Sequence, residues 1–442
     1  MRLMTMKRPR PSADLTLGQE LIAAAAKLRW RPAFLSFLLG ALPFIAVFAH
    51  RGVAPLTAAA LIAAPWGAWR RRRMPAFSLR TPSGQILWGL TGLAGVTALS
   101  ALWSPARGEA DEIWEFPLTV LVGVGVVAAF GAIGGAPRIR ARAALVAGVG
   151  LMAALLAFEG LTGGLLRGWL SPQARQDLNA VSLGRGAVIL VVLIWPAAAI
   201  LTRSARWRPF GFGLIALSGV AALTLGFQAN LGAFLAGLGG FVAALRWPCA
   251  ALQATFALVF AALALSPLAA VFLSVEQALA IGAELPLTWA QRLVAAAKAG
   301  EEIAAVPLLG GGVEYARHLA SERELVAFPG HGVSENVMPL HPHNLFLHIW
   351  LELGALGAAC AALLCAGLRG AALAASRDRF DAAMIAGLLT AFLFYAATEW
   401  SLWQVWRIAL LFLCAGAVHI ALHKRAGRAG HEQRPPAIGD RG

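Results

Sequence analysis

The sequence predicts an all-α polytopic membrane protein of about twelve transmembrane helices, with a long helical loop on the outer side between spans nine and ten. Three observations carry that expectation. Of the 442 residues, 59% are hydrophobic and only 13% are charged, too few charges to cover a soluble surface. Apolar runs recur from Ala33 to Leu422, most of them long enough to cross a hydrocarbon core of roughly 30 Å as a helix. Lysine and arginine cluster in alternate connections between those runs, as they do in cytoplasmic loops.

The runs fall at about 33–50, 52–69, 85–103, 116–133, 143–161, 186–202, 209–227, 230–246, 251–273, 344–368, 381–399 and 403–422. The first begins well inside the chain and leads at once into the second, unlike a cleavable signal peptide, so it reads as a retained span. Residues 1–32 are then a basic cytoplasmic segment, 33–273 hold spans one to nine, 274–342 form a periplasmic loop, 343–422 hold spans ten to twelve and 423–442 are a cytoplasmic tail. Most of the 37 basic residues lie on one side in this arrangement: the N-terminal segment, Arg70 to Arg73, Arg138 to Arg142, Arg203 to Arg208, Arg246, Arg369 to Arg379 and the tail. Only an even number of spans with both termini inside reproduces that bias. The net charge of +15 therefore reads as an orientation signal, and no nucleic-acid partner is expected. The four cysteines (Cys249, Cys360, Cys365, Cys414) lie in or beside spans without metal-ligand spacing, which makes them buried thiols rather than a metal site.

Most connections are short, but the segment from Leu273 to Pro342 runs about seventy residues, a length that marks a functional insertion. Thr288-Trp289-Ala290-Gln291 fits a capping box, and the run to Val306 sets Trp289, Leu293, Ala296, Ala297 and Ile303 against Arg292, Lys298, Glu301 and Glu302. Pro307-Leu308-Leu309-Gly310-Gly311-Gly312 ends that helix, and Val313 to Phe328 reads as a second one broken by Pro329-Gly330. Two amphipathic helices would roof a cavity among the spans. The outer acidic group Glu109, Asp111, Glu112 and Glu115 reads as a solvated face, and Glu399 with Arg407, among Trp400, Trp403 and Trp406, as an interface anchor with an ion pair.

Span ten opens His341-Pro342-His343-Asn344-Leu345-Phe346-Leu347-His348-Ile349-Trp350-Leu351-Glu352-Leu353-Gly354. On a helix Asn344, His348 and Glu352 share one line, with His343 at its mouth. The carboxylate of Glu352 lies ~12 Å down that line at about 1.5 Å per residue, a depth at which it needs a partner or water.

These residues resemble the O-antigen ligase and O-antigen polymerase superfamily of bacterial membrane glycosyltransferases, on His343, Asn344, Leu347, Glu352, Gly354 and Gly357. Arg292-Leu293 followed by Pro307-Leu308-Leu309-Gly310 is a second match, and together with topology the resemblance covers about 230–365. It departs at the outer end of span eight, where a Ser-Arg-Gly run is replaced by Gln228-Ala229-Asn230-Leu231-Gly232, so that Arg185 and Arg317 become the available substitutes.

The resemblance implies an enzyme of the bacterial inner membrane that moves a glycan from undecaprenyl diphosphate to an acceptor hydroxyl, such as that of lipid A-core, at the periplasmic face, without metal or cofactor. A diphosphate leaving group needs guanidinium forks, which assigns Arg292 and Arg185, with Arg317 and Asn344 as further substrate contacts. The loop is acidic overall, four basic against eight acidic residues from Leu273 to His343, so individually placed arginines must do this. The acceptor hydroxyl needs a base, which assigns His343, with His341 orienting it or acting in its place. Glu352 and His348 read as buried supports of span ten. A polymerase joining lipid-linked repeat units fits the same residues. A flippase or transporter would instead place paired ionisable groups or broken helices near the midplane in repeated halves, whereas the polar groups here collect at the outer rim.

Overall fold

The computed structural model describes residues 30–62, 78–108, 111–170 and 176–422; the basic N-terminal segment up to residue 29, Glu109, the 70–73 arginine run and the tail from 423 lie outside the described residues. The chain folds as a helical polytopic membrane protein. Its elements are α1 (Trp30–Phe48), α2 (Val53–Ile62), α3 (Pro82–Ser100), α4 (Glu112–Gly131), α5 (Gly135–Thr162), α6 (Leu165–Leu170), α7 (Gln176–Thr202), α8 (Arg208–Thr224), α9 (Gln228–Arg246), α10 (Pro248–Val271), α11 (Val275–Gly282), α12 (Leu287–Ala305), α13 (Tyr315–Ser321), β1 (Leu325–Phe328), β2 (Val333–Asn336), α14 (Leu345–Ala375), α15 (Arg379–Thr398) and α16 (Val405–Ala421). Each expected apolar run meets a helix where the residues are described; the 52–69 run does so over Val53–Ile62, its residues 63–69 lying outside the described ones. Eight of them, α1, α4, α5, α7, α9, α10, α14 and α15, are long and apolar enough by themselves to cross a bilayer, while α8 and α16 are shorter apolar helices.

Helix α7 is the axis of the bundle. From Gly186 to Leu201 it is apolar on every face, so it is stable only when surrounded, and 89% of its spanning window is buried. Trp195 of α7 lies where Gly237 of α9 and Gly387 of α15 leave room; a Cβ at Gly237 would stand 2.3 Å from the indole. Helices α3 and α14 meet in the same way, a Cβ at Gly89 falling 2.6 Å from the Leu364 nitrogen. Small residues at such contacts let helices approach where lipid removes the hydrophobic drive between them.

One end of the bundle is held by arginines. Arg138 and Arg142 donate to the carbonyls of His419, Ile420, Ala421 and Leu422, satisfying the last turn of α16, and Arg203 pairs with buried Asp381 at 2.6 Å.

The long loop lies at the opposite end and differs from expectation in three ways. Helix α12 begins at Leu287 after Pro286 with no side-chain cap, so the Thr288 capping box does not form; a capping box closes instead on Ser274 and Gln277, opening the unexpected α11. The second expected helix stops at Ser321, and Leu325–Phe328 pairs antiparallel with Val333–Asn336. Alternating exposure and the turn at Pro329-Gly330 favour a hairpin over continued helix there. Third, Pro307 to Gly312 does more than end α12. Gly354 breaks α14 at φ 60°, ψ −160°, a conformation restricted to glycine, and this segment runs alongside the break. Gly311 and Gly312 donate to the carbonyls of Leu351 and Glu352, while Ala355 and Leu356 donate to Pro307 and Leu308. The groups freed by the break are thus paired by protein, as non-helical backbone at membrane depth requires.

Candidate active site at the loop end of the bundle

Helix α14 carries most of the polar line, and its first turn is capped from within. Asn344 Oδ1 accepts from Phe346 and Leu347 at 3.0 and 3.1 Å, so the residue expected among the substrate contacts caps the helix. Two turns down, the fully buried Glu352 carboxylate accepts four hydrogen bonds. His348 Nε2 (2.9 Å) and Ala316 N (3.2 Å) reach Oε1; Glu314 N (2.9 Å) and Trp403 Nε1 (2.5 Å) reach Oε2. His348 Nδ1 accepts the Leu402 N–H at 3.1 Å, which fixes its proton on Nε2, facing Glu352. This carboxylate therefore ties α14 to the loop and to the α15–α16 connection. Every accepting site of the pair is engaged, so neither group is open to a substrate. Arg317 sits on the anchored loop segment and pairs with Glu314 at 2.7 Å.

The two histidines at the mouth are different. Their rings lie 4.3 Å apart, and His341 Nδ1 accepts the His343 N–H at 3.3 Å. His343 holds the left-handed conformation at φ 53°, uncommon for a side chain of its size, which turns the ring toward Glu399. Its Nδ1 is buried without a hydrogen-bond partner, 3.9 Å from Glu399 Oε2, while the side chain is 30% exposed, leaving Nε2 as the accessible nitrogen. Burial, reinforced by His343 and the other nearby positive groups, pushes His341 down to about 2. Burial lowers His343 as well, against the opposing pull of Glu399. Both rings are neutral at neutral pH.

Glu399 is the hub around which the cations gather. Arg292 donates to it at 2.7 Å and to the Thr398 carbonyl at 2.8 Å, with its guanidinium 5.2 Å from the Trp289 ring. Arg407, buried between Trp400 and Trp406, donates to the Glu399 carbonyl and sits 3.8 Å from its carboxylate. The Glu399–Arg407 pair is thus part of the site rather than only an interface anchor. Arg185 lies within electrostatic reach of both residues, and it donates to His50 Nε2 at 3.3 Å. A guanidinium can only donate, so that nitrogen of His50 is unprotonated. Arg51, exposed in the α1–α2 turn, adds its charge to Arg185 and His50. Neither Arg51 nor Arg185 has a carboxylate partner among the described residues. The Gln228 to Asn230 run is structural: Gln228 accepts from Trp289, and Asn230 donates to Gly184 and accepts from Tyr395.

Of the residues expected at the site, His341, His343, Arg292, Glu352 and His348 come together in the fold, whereas Glu399 as their hub, the Trp403 contact and Arg51 were not foreseen. Arg51 carried a usable signal, because it is an arginine in a connection that the charge bias assigns to the side poor in basic residues. The fold and the site together define a polytopic helical membrane protein with a histidine–arginine–glutamate cluster at one end of the bundle. No family model, no curated protein and no solved structure matches the chain.

Proposed function

We propose that the chain is an O-antigen ligase-like glycosyltransferase of the bacterial inner membrane, with both termini cytoplasmic and the site on the periplasmic side. The observation that carries this reading is His343: a neutral imidazole with one nitrogen open and the other buried against Glu399, among arginines at the membrane rim. Nε2 takes the proton of the acceptor hydroxyl as its oxygen bonds to the anomeric carbon of the lipid-linked sugar. The bond from that carbon to the phosphate oxygen breaks, and the electron pair leaves with the diphosphate. The tautomer this needs carries its proton on Nδ1, facing Glu399, which favours the imidazolium as it forms.

The leaving group gathers negative charge, which Arg185 and Arg51 meet with guanidiniums that no carboxylate among the described residues holds. Arg292 shares its charge with Glu399 and donates to the Thr398 carbonyl, so it holds the geometry as much as it grips phosphate. Glu352 and His348 keep α14 in place.

The test is transfer by purified protein in detergent from an undecaprenyl-diphosphate-linked glycan, with lipid A-core and a second lipid-linked repeat unit offered as alternative acceptors. Product on lipid A-core is the expected result. Product only on the second repeat unit makes the protein a polymerase, and no transfer to either overturns the reading.

A further inference from the structure

At the arginine-rich end, far along α14 from His343, the bundle has a second feature the transfer reaction does not use. Helices α3 and α10 both pack on α14 and leave between them a cavity of about 700 Å³. Its lining divides by chemistry. Gln85, Gln253 and Arg369 are polar, and Ala254, Ala257, Phe260 and Ala366 are apolar. On α10 the apolar residues follow Gln253 at helical spacing, running away from the arginine-rich end, so the cavity is polar toward the interface and apolar toward the bilayer interior. Arg369 is exposed and has no ionic partner among the described residues, and Gln253 is exposed beside it. Gly370 sits close beneath Pro82, a Cβ there meeting the ring at 2.8 Å, so α3 bounds the polar mouth firmly.

An amphipathic cleft between membrane helices, polar end at the interface and carrying a free guanidinium, matches one ligand chemistry. We propose that it holds an anionic phospholipid of the leaflet on the arginine-rich side, with the headgroup phosphate at Arg369 and Gln253 and an acyl chain along Ala254, Ala257 and Phe260. Basic pockets between helices on the cytoplasmic side select anionic headgroups by this pairing of charge and shape. Ala257 and Ala366 leave the width that a chain needs. The proposal does not depend on the transferase reading, because the cavity is distant from Glu399 and His343.

The test is native mass spectrometry of the full chain released from bilayers of equal phosphatidylglycerol and phosphatidylcholine. Wild type should retain phosphatidylglycerol several-fold over phosphatidylcholine. Arg369→Gln should abolish that preference, Gln253→Leu should weaken it, and Ala257→Trp should lower retention of both lipids by filling the cleft. Thermal melting of each variant in detergent separates loss of lipid from loss of fold, and Gln253→Leu, at an exposed position, serves if Arg369→Gln does not fold. Unchanged preference in Arg369→Gln, or no preference in wild type, overturns the proposal. Displacement by millimolar glycerol 3-phosphate also overturns it, since the ligand would then be a soluble phosphate compound rather than a lipid.

Discussion

Arg292 and Glu399 form a 2.7 Å ion pair that joins the loop helix α12 to the end of α15, and the oxygen that receives Arg292 is also the one 3.9 Å from His343 Nδ1. One carboxylate thus sets the position of a cation and raises the proton affinity of an imidazole. Glu399→Gln keeps the volume and removes the charge. Turnover should fall at least tenfold, because the imidazolium loses its counter-charge, while the KM for donor should hold or drop as Arg292 is released toward phosphate. Steady-state kinetics on the purified variant checks both, and an unchanged kcat would remove Glu399 from the mechanism.

Glu352 should govern stability rather than chemistry. Glu352→Ala leaves two backbone N–H groups, an indole and an imidazole without their acceptor, at about 1–3 kcal/mol for each buried group left unpaired. The melting temperature in detergent should fall by many degrees. A variant that melts like wild type and has lost only activity would make Glu352 a participant in transfer.

Gly354 should tolerate no side chain. A Cβ there would stand 2.4 Å from the Leu308 carbonyl oxygen in a backbone region costing other residues about 1–3 kcal/mol, so Gly354→Ala should destabilise through both effects. Gly310→Ala, whose Cβ would meet the Glu352 carbonyl carbon at 2.5 Å, should do the same, and the double variant should cost less than the sum because the two glycines face each other across one contact. Additive losses in thermal melts would show that the two positions act independently.

The histidines set a pH dependence with a definite sign. Both are held below their ordinary value of 6.5, His341 down to about 2, so on acidification below 6.5 the unfolded chain takes up protons that the folded chain refuses. Their contribution to stability is therefore present above 6.5 and declines as pH falls below it. Melting temperature should drop between pH 7 and pH 5, and His341→Gln should flatten that slope. Because burial holds His343 below its ordinary value, the acid limb of the transfer rate should fall below pH 6.5 rather than at it. A rate that collapses at pH 6.5 or above would contradict the burial of that ring.

Much of the fold was legible because lipid leaves one signal, the apolar run, and the runs met helices over the described residues. The line Asn344, His348, Glu352 was legible for a similar reason, since spacing by four places side chains on one face whatever the surroundings. Neither the break at Gly354 nor the segment lying alongside it could be read, because each stabilises the other and local sequence describes only one partner at a time. The hairpin after α13 was hidden by a stretch that suits either helix or strand until Phe328 is buried against the loop core. Glu399 was visible only as half of a pair with Arg407; its contacts with Arg292 and His343 span more than fifty residues of chain.

Whether His343 removes the acceptor proton is read from glycan transfer by His343→Ala in detergent, with binding of the lipid diphosphate donor measured on the same sample. Loss of a positioned base costs about 10²–10⁴ in rate, whereas a residue that only shapes a helix entry costs on the order of 1 kcal/mol of stability and little turnover. With His343 as the base, the variant should melt near wild type, bind donor through Arg185 and Arg51, and transfer at least a hundredfold more slowly, while His341→Ala keeps appreciable transfer. Transfer by His343→Ala at the wild-type rate would contradict that role and move the base to His341.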